Sequence, residues 1–309
     1  MNYRYTSDLL DAALFNANEA TDGTSDFEAK ALEYLNRAYR SLILGGDEFV
    51  ETQEQDWWWL RKSAYLITTT QEEGEITVTQ LSTVASFTAA PATSMAGRHL
   101  RTSDTDIYKI ATHTAGQNAC TLDAPYTGAS GAKAYTAFQL EYDLAADFLK
   151  PLDPMRCYRA GAGGEYRIFG IDNDVMEKDW PLSQIDAGSP SRYTQMDEDT
   201  IRFNRYATTP MRIDYDYIYL PEDLTAGANE EPVVPLINRK VLSDITATFI
   251  LMDKDDNKAS SMSMVAKKGI EAMVKANRAK WGRTGKPGHI YARQGKRGKQ
   301  SLRTILEVQ

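Results

Sequence analysis

Apolar residues recur along this chain with two different periods, and the period changes twice. In "SDLLDAALFNANEA" Leu10, Ala13, Leu14 and Ala17 stand at helical spacing behind Ser7 as a cap, which predicts a short amphipathic helix over 7–20. Phe27, Ala31, Tyr34, Leu35, Ala38 and Leu42 repeat on one stripe. With Ser25 and Glu28 as a capping box and Gly45 and Gly46 as the stop, they predict a second helix. After "DWWWLRKSAYLITTT" the composition turns to Thr, Val, Ser, Gly and Tyr in short alternating runs, among them Ile76 to Val78 and Ile107 to Ile110, with Gly, Pro and Asn at the corners. Strands are therefore expected from about Leu60 to Phe138, closing into a small β-sandwich or barrel.

A second β region follows. Two strand-like runs flank a Gly-rich turn at Gly161 to Gly164, which reads as a hairpin, and a short amphipathic piece lies near Met176 to Ile185. In "MRIDYDYIY" Met211, Ile213, Tyr215, Tyr217 and Tyr219 share one face of a strand and Arg212, Asp214 and Asp216 the other. Helical spacing returns after Pro235 with Ile237, Val241, Ile245, Phe249 and Met252. It continues through Met262, Val265, Gly269, Met273 and Ala276, with Gly282 as the stop. The expected fold class is α+β, a helical bundle formed from N- and C-terminal helices with β-sandwich or barrel regions inserted. Its parts are 1–60 with 235–282 as the bundle, 61–140 as a small β-domain, 141–234 as a second β-rich region, and 283–309 as an extended basic C-terminal arm.

Charge changes this picture. The 309 residues have a formal net charge of −8, yet residues 267–309 hold twelve Lys or Arg against only Glu271 and Glu307, a net +10 that leaves −18 on residues 1–266. A basic end seeks an anionic surface while an acidic body repels polyanions beside it. No apolar run approaches the roughly 18 to 20 residues needed to cross a bilayer, and the first residues lack a basic segment followed by an uninterrupted apolar one. A soluble intracellular product without a membrane partner is expected. Cys120 and Cys157 are too few for a disulfide framework or a four-cysteine metal site and are expected to be reduced and partly buried.

Candidate chemistry is sparse. His99, His113 and His289 are expected in surface or turn positions, which supplies a Ser/His/Asp triad or a histidine-rich metal site poorly. "GRTGKPG" has Pro287 where a phosphate loop needs Ser or Thr, and "AGAGGE" has no helix after it. The run from Asp253 opens like a calcium loop through Asp255 and Asn257, but Lys258 stands where the turn needs Gly and Met264 where the bidentate Glu belongs. Asp214 and Asp216 point the same way along a strand, as a sugar-hydrolysing carboxylate pair does, and also as a solvated sheet face does. No catalytic residue, metal ligand or cofactor is assigned.

Two features point to partners. Trp57, Trp58 and Trp59 are adjacent indoles that cannot all face one core, so at least one is exposed or covered by a partner; a subunit contact and packing between helical and β parts are the two readings. The tail "RQGKRGKQSLRTILEVQ" ends in apolar Leu302, Ile305, Leu306 and Val308, which a purely electrostatic nucleic-acid arm does not need and a docking arm does.

The succession of pieces resembles the head-to-tail adaptor (connector, or head-completion) proteins of tailed bacteriophages, related to the tail tubular A proteins of podophages. The resemblance covers nearly the whole chain. It is carried by "FEAKALEYLNRAYRSLI", "DWWWLRKSAYLITT", the inserted β segment, "YDLAADFLKPLDP", "GSPSRYTQMDEDTIRFN", "DYDYIYLPEDLT", "PLINRKVLSDITATFILMDKDDNKA" and the basic tail. It implies a homo-oligomeric, twelve-fold ring beneath the portal protein, in the neck of a virion assembled in the host cytoplasm. The ring extends the DNA channel and offers a platform to tail or nozzle proteins. Genomic DNA passes through the lumen without sequence-specific binding, and no catalysis is required. It further implies a portal-embracing arm, for which Arg293, Lys296, Arg297, Lys299, Leu302, Arg303, Ile305 and Leu306 are the expected contacts. Two other readings compete: a nucleic-acid-binding protein using the basic tail, and a cell-wall glycosidase using Asp214 and Asp216.

Overall fold

The computed structural model describes residues 3–19, 26–45, 56–104, 107–159, 164–225 and 230–284. Among them the helices are α1 (Thr6–Asn16), α2 (Asp26–Leu44), α3 (Asn173–Asp179), α4 (Arg239–Asp253) and α5 (Ala259–Thr284). The strands are β1 (Arg61–Ile67), β2 (Glu72–Val78), β3 (Val84–Phe87), β4 (His99–Thr102), β5 (Ile107–His113), β6 (Ala119–Leu122), β7 (Gly131–Phe138), β8 (Glu141–Asp143), β9 (Phe148–Arg159), β10 (Glu165–Gly170), β11 (Arg192–Gln195), β12 (Thr200–Phe203) and β13 (Met211–Tyr219). The chain divides into two compact units, Met1–Arg61 with Ile218–Gln309, and Lys62–Tyr217.

The expected fold class is corrected. The molecule is mixed α and β with a closed six-stranded barrel and a seven-stranded sheet curled into a half-barrel, and no helical bundle dominates it. The physical reason lies in how far each period extends. Helical spacing occupies the chain's ends, whereas strand spacing runs from 61 to 219, and those strands join through pairings distant in sequence.

The barrel runs β2-β3-β6-β5-β4-β7. Alternation sends Ile76, Val78, Phe87, Leu100, Ile110 and Leu122 inward, where they meet in one core with Met95 and Tyr126. Gly74 on β2 lies under the Tyr135 ring of β7; a Cβ there would come within 3.0 Å of the ring, so the close approach of these paired strands uses a residue without one. The second sheet runs β1-β13-β9-β10-β11-β12-β8, antiparallel at β9–β10 and β11–β12 and parallel at β10–β11. Met211, Ile213, Tyr215 and Tyr217 of β13 are buried, as their alternation predicts.

In the other unit α4 is central and is packed by α1, α2 and α5. It is buried from Val241 to Leu251, with Ser243, Asp244, Thr246 and Thr248 among the buried residues. The hydroxyls of Thr246 and Thr248 return to the carbonyls of Leu242 and Asp244 at 2.7 and 2.8 Å, which satisfies polar groups placed in the core. α2 stops at Gly45, which takes φ 73° and donates its N–H to the Ser41 carbonyl. Two expected helix ends differ. Tyr5, not Ser7, caps α1, and the Asp8 carboxylate accepts from the Arg4 and Tyr5 N–H groups at 3.0 Å each. α5 passes through Gly282 to Thr284, because a glycine inside a helix weakens it by only about 1 kcal/mol.

Candidate functional site

The tryptophan run is a single 3₁₀ turn over Trp58–Leu60, and its three indoles have three environments. Trp57 is fully buried and donates its Nε1–H to the Leu42 carbonyl at 2.8 Å. Trp59 stacks on it, centroids 4.5 Å apart, and its own indole nitrogen is buried without a hydrogen-bond partner among the described residues. Trp58 is 39% exposed. Asn277, a buried polar residue of α5, fixes this turn from both sides: its Oδ1 accepts from Trp58 N–H at 3.0 Å and its Nδ2 donates to the Asp56 carbonyl at 2.9 Å. The Lys280 ammonium lies 4.6 Å from the Trp58 ring centroid. Periodicity gave no sign of Asn277. A polar residue on the inward face of a helix was the available signal.

α5 itself is two-faced. Ala266, Ile270, Met273 and Val274 are buried, while Lys267, Lys268, Lys275, Arg278 and Lys280 are exposed. The opposite end of the helix pair is of mixed charge, with Lys254 and Lys258 among its aspartates. Asp253, Asp255 and Asp256 form the α4–α5 turn, with Asp255 at φ 51°. The Tyr34 hydroxyl donates to Asp253 at 2.7 Å, and burial, then Asp253 and Glu33, push its phenol up to about 12. The calcium-like run is thus a helix end and turn. Among the described residues no group of three or more His, Cys, Asp or Glu is placed to hold a metal.

On β13 the two carboxylates of the glycosidase reading are engaged separately. Asp214 accepts from Arg212 Nε at 2.6 Å, and Asp216 accepts from the Ser63 hydroxyl. The tyrosine stripe packs inward: Tyr215 accepts from the Ala145 N–H at 3.0 Å and Tyr217 donates to Asp147 at 2.7 Å. Burial acts to raise the Asp147 carboxyl, but its bonds to Lys62 and Tyr217 outweigh that and hold it below the usual carboxylate range.

The expectation for His99 is overturned. It is buried on β4, stacked on Phe138 with centroids 5.8 Å apart, and its Nε2 stands 3.5 Å from Glu141 Oε1, within ion-pair range but outside hydrogen-bond geometry. Lys109 Nζ reaches the other oxygen of Glu141 at 2.5 Å. The His99 ring first and then Lys109 bring the Glu141 carboxyl down to about 2, against burial. His113 at the end of β5 accepts from Met95 N–H and meets the Gln117 carbonyl, and so organises a turn. Both cysteines are free and buried.

His289 and the eight arm residues, Arg293, Lys296, Arg297, Lys299, Leu302, Arg303, Ile305 and Leu306, lie outside the described residues. Within the described residues no helix is long and apolar enough to cross a membrane. Compared with family models and with curated proteins, the chain matches none.

Proposed function

We propose that this protein is a structural component of a tailed-phage virion: a head-to-tail adaptor that forms a ring beneath the portal, continues the DNA channel and receives the tail. The observation that carries the reading is the charge division on a rigid frame. α5 is held in its unit by Ala266, Ile270, Met273 and Val274, shows a basic outer face, and leads directly in sequence into a segment, 285–309, with six Lys or Arg against Glu307 and an apolar tip. A cationic segment with apolar anchors suits docking on an acidic protein surface, and the acidic remainder of the chain suits a conduit that DNA crosses without being gripped. Mixing the purified chain with the portal and imaging the product tests this. A twelve-fold ring seated on the portal, lost when residues 285–309 are removed, is the expected result; no circular assembly overturns it.

A second reading, nucleic-acid binding, draws on the exposed Lys267, Lys268, Lys275, Arg278 and Lys280 of α5. Filter retention of duplex DNA separates the two. A steep loss of binding with salt, abolished by truncation at Gly282, belongs to nucleic-acid binding, and weak retention at all salts to the ring.

A further inference from the structure

The seven-stranded sheet has one face in the core and another that α3 covers only in part. Met155, Cys157, Ile168 and Met211 point inward, and the Cys157 and Met211 sulfurs meet at 3.9 Å, so β9, β10 and β13 share one buried side. On the opposite side Thr194 and Arg202, register partners on β11 and β12, are buried at α3, where Arg202 reaches Glu177 and the Trp180 carbonyl. That same side opens towards β1, where Tyr65 and Ile67 are each 59% exposed.

Arginines and rings alternate on the open part. Arg156 and Arg167 stand directly opposite each other on antiparallel β9 and β10, which puts their Cβ atoms about 5 Å apart. The next outward pair along these strands is Tyr158 with Glu165; in the other direction Phe169 follows Arg167, with the Arg192 guanidinium 5.3 Å from its ring centroid. Ring and guanidinium thus succeed one another in steps of about 7 Å. Near β1 the Arg212 guanidinium lies 4.7 Å from the Tyr65 ring centroid.

The carboxylates on this face leave the arginine pair unmatched. Asp214 is held by Arg212 and Asp216 by the Ser63 hydroxyl, while Glu165, the neighbour of the pair, makes no ion pair among the described residues. α3 and its cap, with Asp172, Asp174, Glu177 and Asp179 against Lys178, bound the basic area on the far side. Like charges set directly opposite weaken a sheet, and Arg156 has no hydrogen-bond or ion-pair partner among the described residues. An anion between the two guanidiniums turns this repulsion into a clamp.

We propose that the open part of this sheet face binds single-stranded nucleic acid, with a phosphate between Arg156 and Arg167 and bases on Tyr158 and on the stacked Arg192 and Phe169. In a duplex the base faces are covered, and an acidic peptide brings carboxylates without a planar group at each step. The succession of ring and cation therefore selects the single strand. The inference does not rest on the ring reading. It is also separate from the basic face of α5 and the tail, which would act by charge and take duplex as well.

Fluorescence anisotropy of the full chain with a labelled oligonucleotide of about 12 nucleotides, single-stranded or annealed to its complement, tests this. The single strand should bind about tenfold more tightly than the duplex. Arg156→Gln with Arg167→Gln should weaken single-strand binding about tenfold, erase the preference and leave duplex binding as it was. Because that change relieves a like-charge pair, the variant should melt no lower than the unaltered chain, which circular dichroism reads. Tyr158→Leu, which keeps every charge, should also weaken the single strand about tenfold. Equal binding of the two forms, a double variant that keeps the preference or melts lower, or a Tyr158→Leu chain that binds like the unaltered one overturns the proposal. So does polyglutamate that displaces the oligonucleotide as well as unlabelled single strand does, which would assign the face to an acidic protein segment.

Discussion

At Gly269 α5 lies close against Val241 of α4. A Cβ built there would lie 2.7 Å from Val241 Cγ2, with Cγ1 at 3.5 Å and Cβ at 3.6 Å, whereas unstrained carbon contacts lie at about 3.5–4.0 Å. Gly269→Ala therefore sets two effects against each other. Alanine gains about 1 kcal/mol of helix propensity over glycine. Overpacking a close helix contact costs about 1–3 kcal/mol, and Val241 has little freedom to yield because a β-branched side chain in a helix keeps nearly a single rotamer. The expected net effect is a loss of about 1 kcal/mol. Val241→Ala alone removes two buried methyl groups, about 1.6 kcal/mol at 0.8 per carbon. In that background the space beside Gly269 is open, so Gly269→Ala should become stabilising by about 1 kcal/mol, which makes the coupling between the two sites about 2 kcal/mol. Urea unfolding followed by tryptophan emission reads the cycle, since four of the five tryptophans, Trp57, Trp58, Trp59 and Trp281, belong to this unit. Gly269→Ala that stabilises the otherwise unaltered chain, or a cycle that is additive within error, would refute the argument from close approach.

Trp57→Phe should lower stability by about 2–3 kcal/mol in the same assay, through the space left in a fully buried site and the Leu42 carbonyl left unbonded, while Trp58→Phe should change it little. Glu141, lowered in the folded chain from 4.5 to about 2, contributes stability that is present above its ordinary value and is lost as pH falls towards 2. The loss amounts to about 3 kcal/mol at 1.36 kcal/mol per pH unit. Denaturant midpoints measured between pH 5 and 2 should therefore fall less steeply in Glu141→Gln. Burial pushes the Cys120 thiol up to about 11 and raises Cys157 as well, so a thiol-specific reagent at neutral pH should label neither in the native chain and both after denaturation.

What the sequence made legible is what depends on neighbours a few residues away. The stripe of α2, the helical spacing of Val241, Ile245 and Phe249 in α4 and the alternation of β13 all appear at or near their expected positions, because each is set by which side chains one element must bury, whereas Ile237 and Met252, expected on the α4 stripe, are exposed. The partners of those elements were not legible. β1 follows the tryptophan run and precedes the barrel in sequence, yet it pairs in the other sheet next to β13, which begins at Met211. His99 illustrates the same limit: its burial depends on Phe138 and Glu141, which only the closure of β4 against β7 brings near. The exposed Trp58 was reachable by reasoning about three adjacent indoles, but its setting between Asn277 and Lys280 required the last helix to return to it.

That return bears on how the molecule is made. α1 and α2 leave the ribosome well before α4, the helix that covers their apolar stripes, which begins 195 positions after α2 ends at Leu44, at Arg239. At 5–20 residues per second the early pair waits roughly 10–40 s for its cover. The Lys62–Tyr217 unit is contiguous and complete before α4 emerges, so during translation the newborn chain carries a finished β half and an uncovered helical pair, and that interval is when chaperones or premature contacts between nascent chains would act on it.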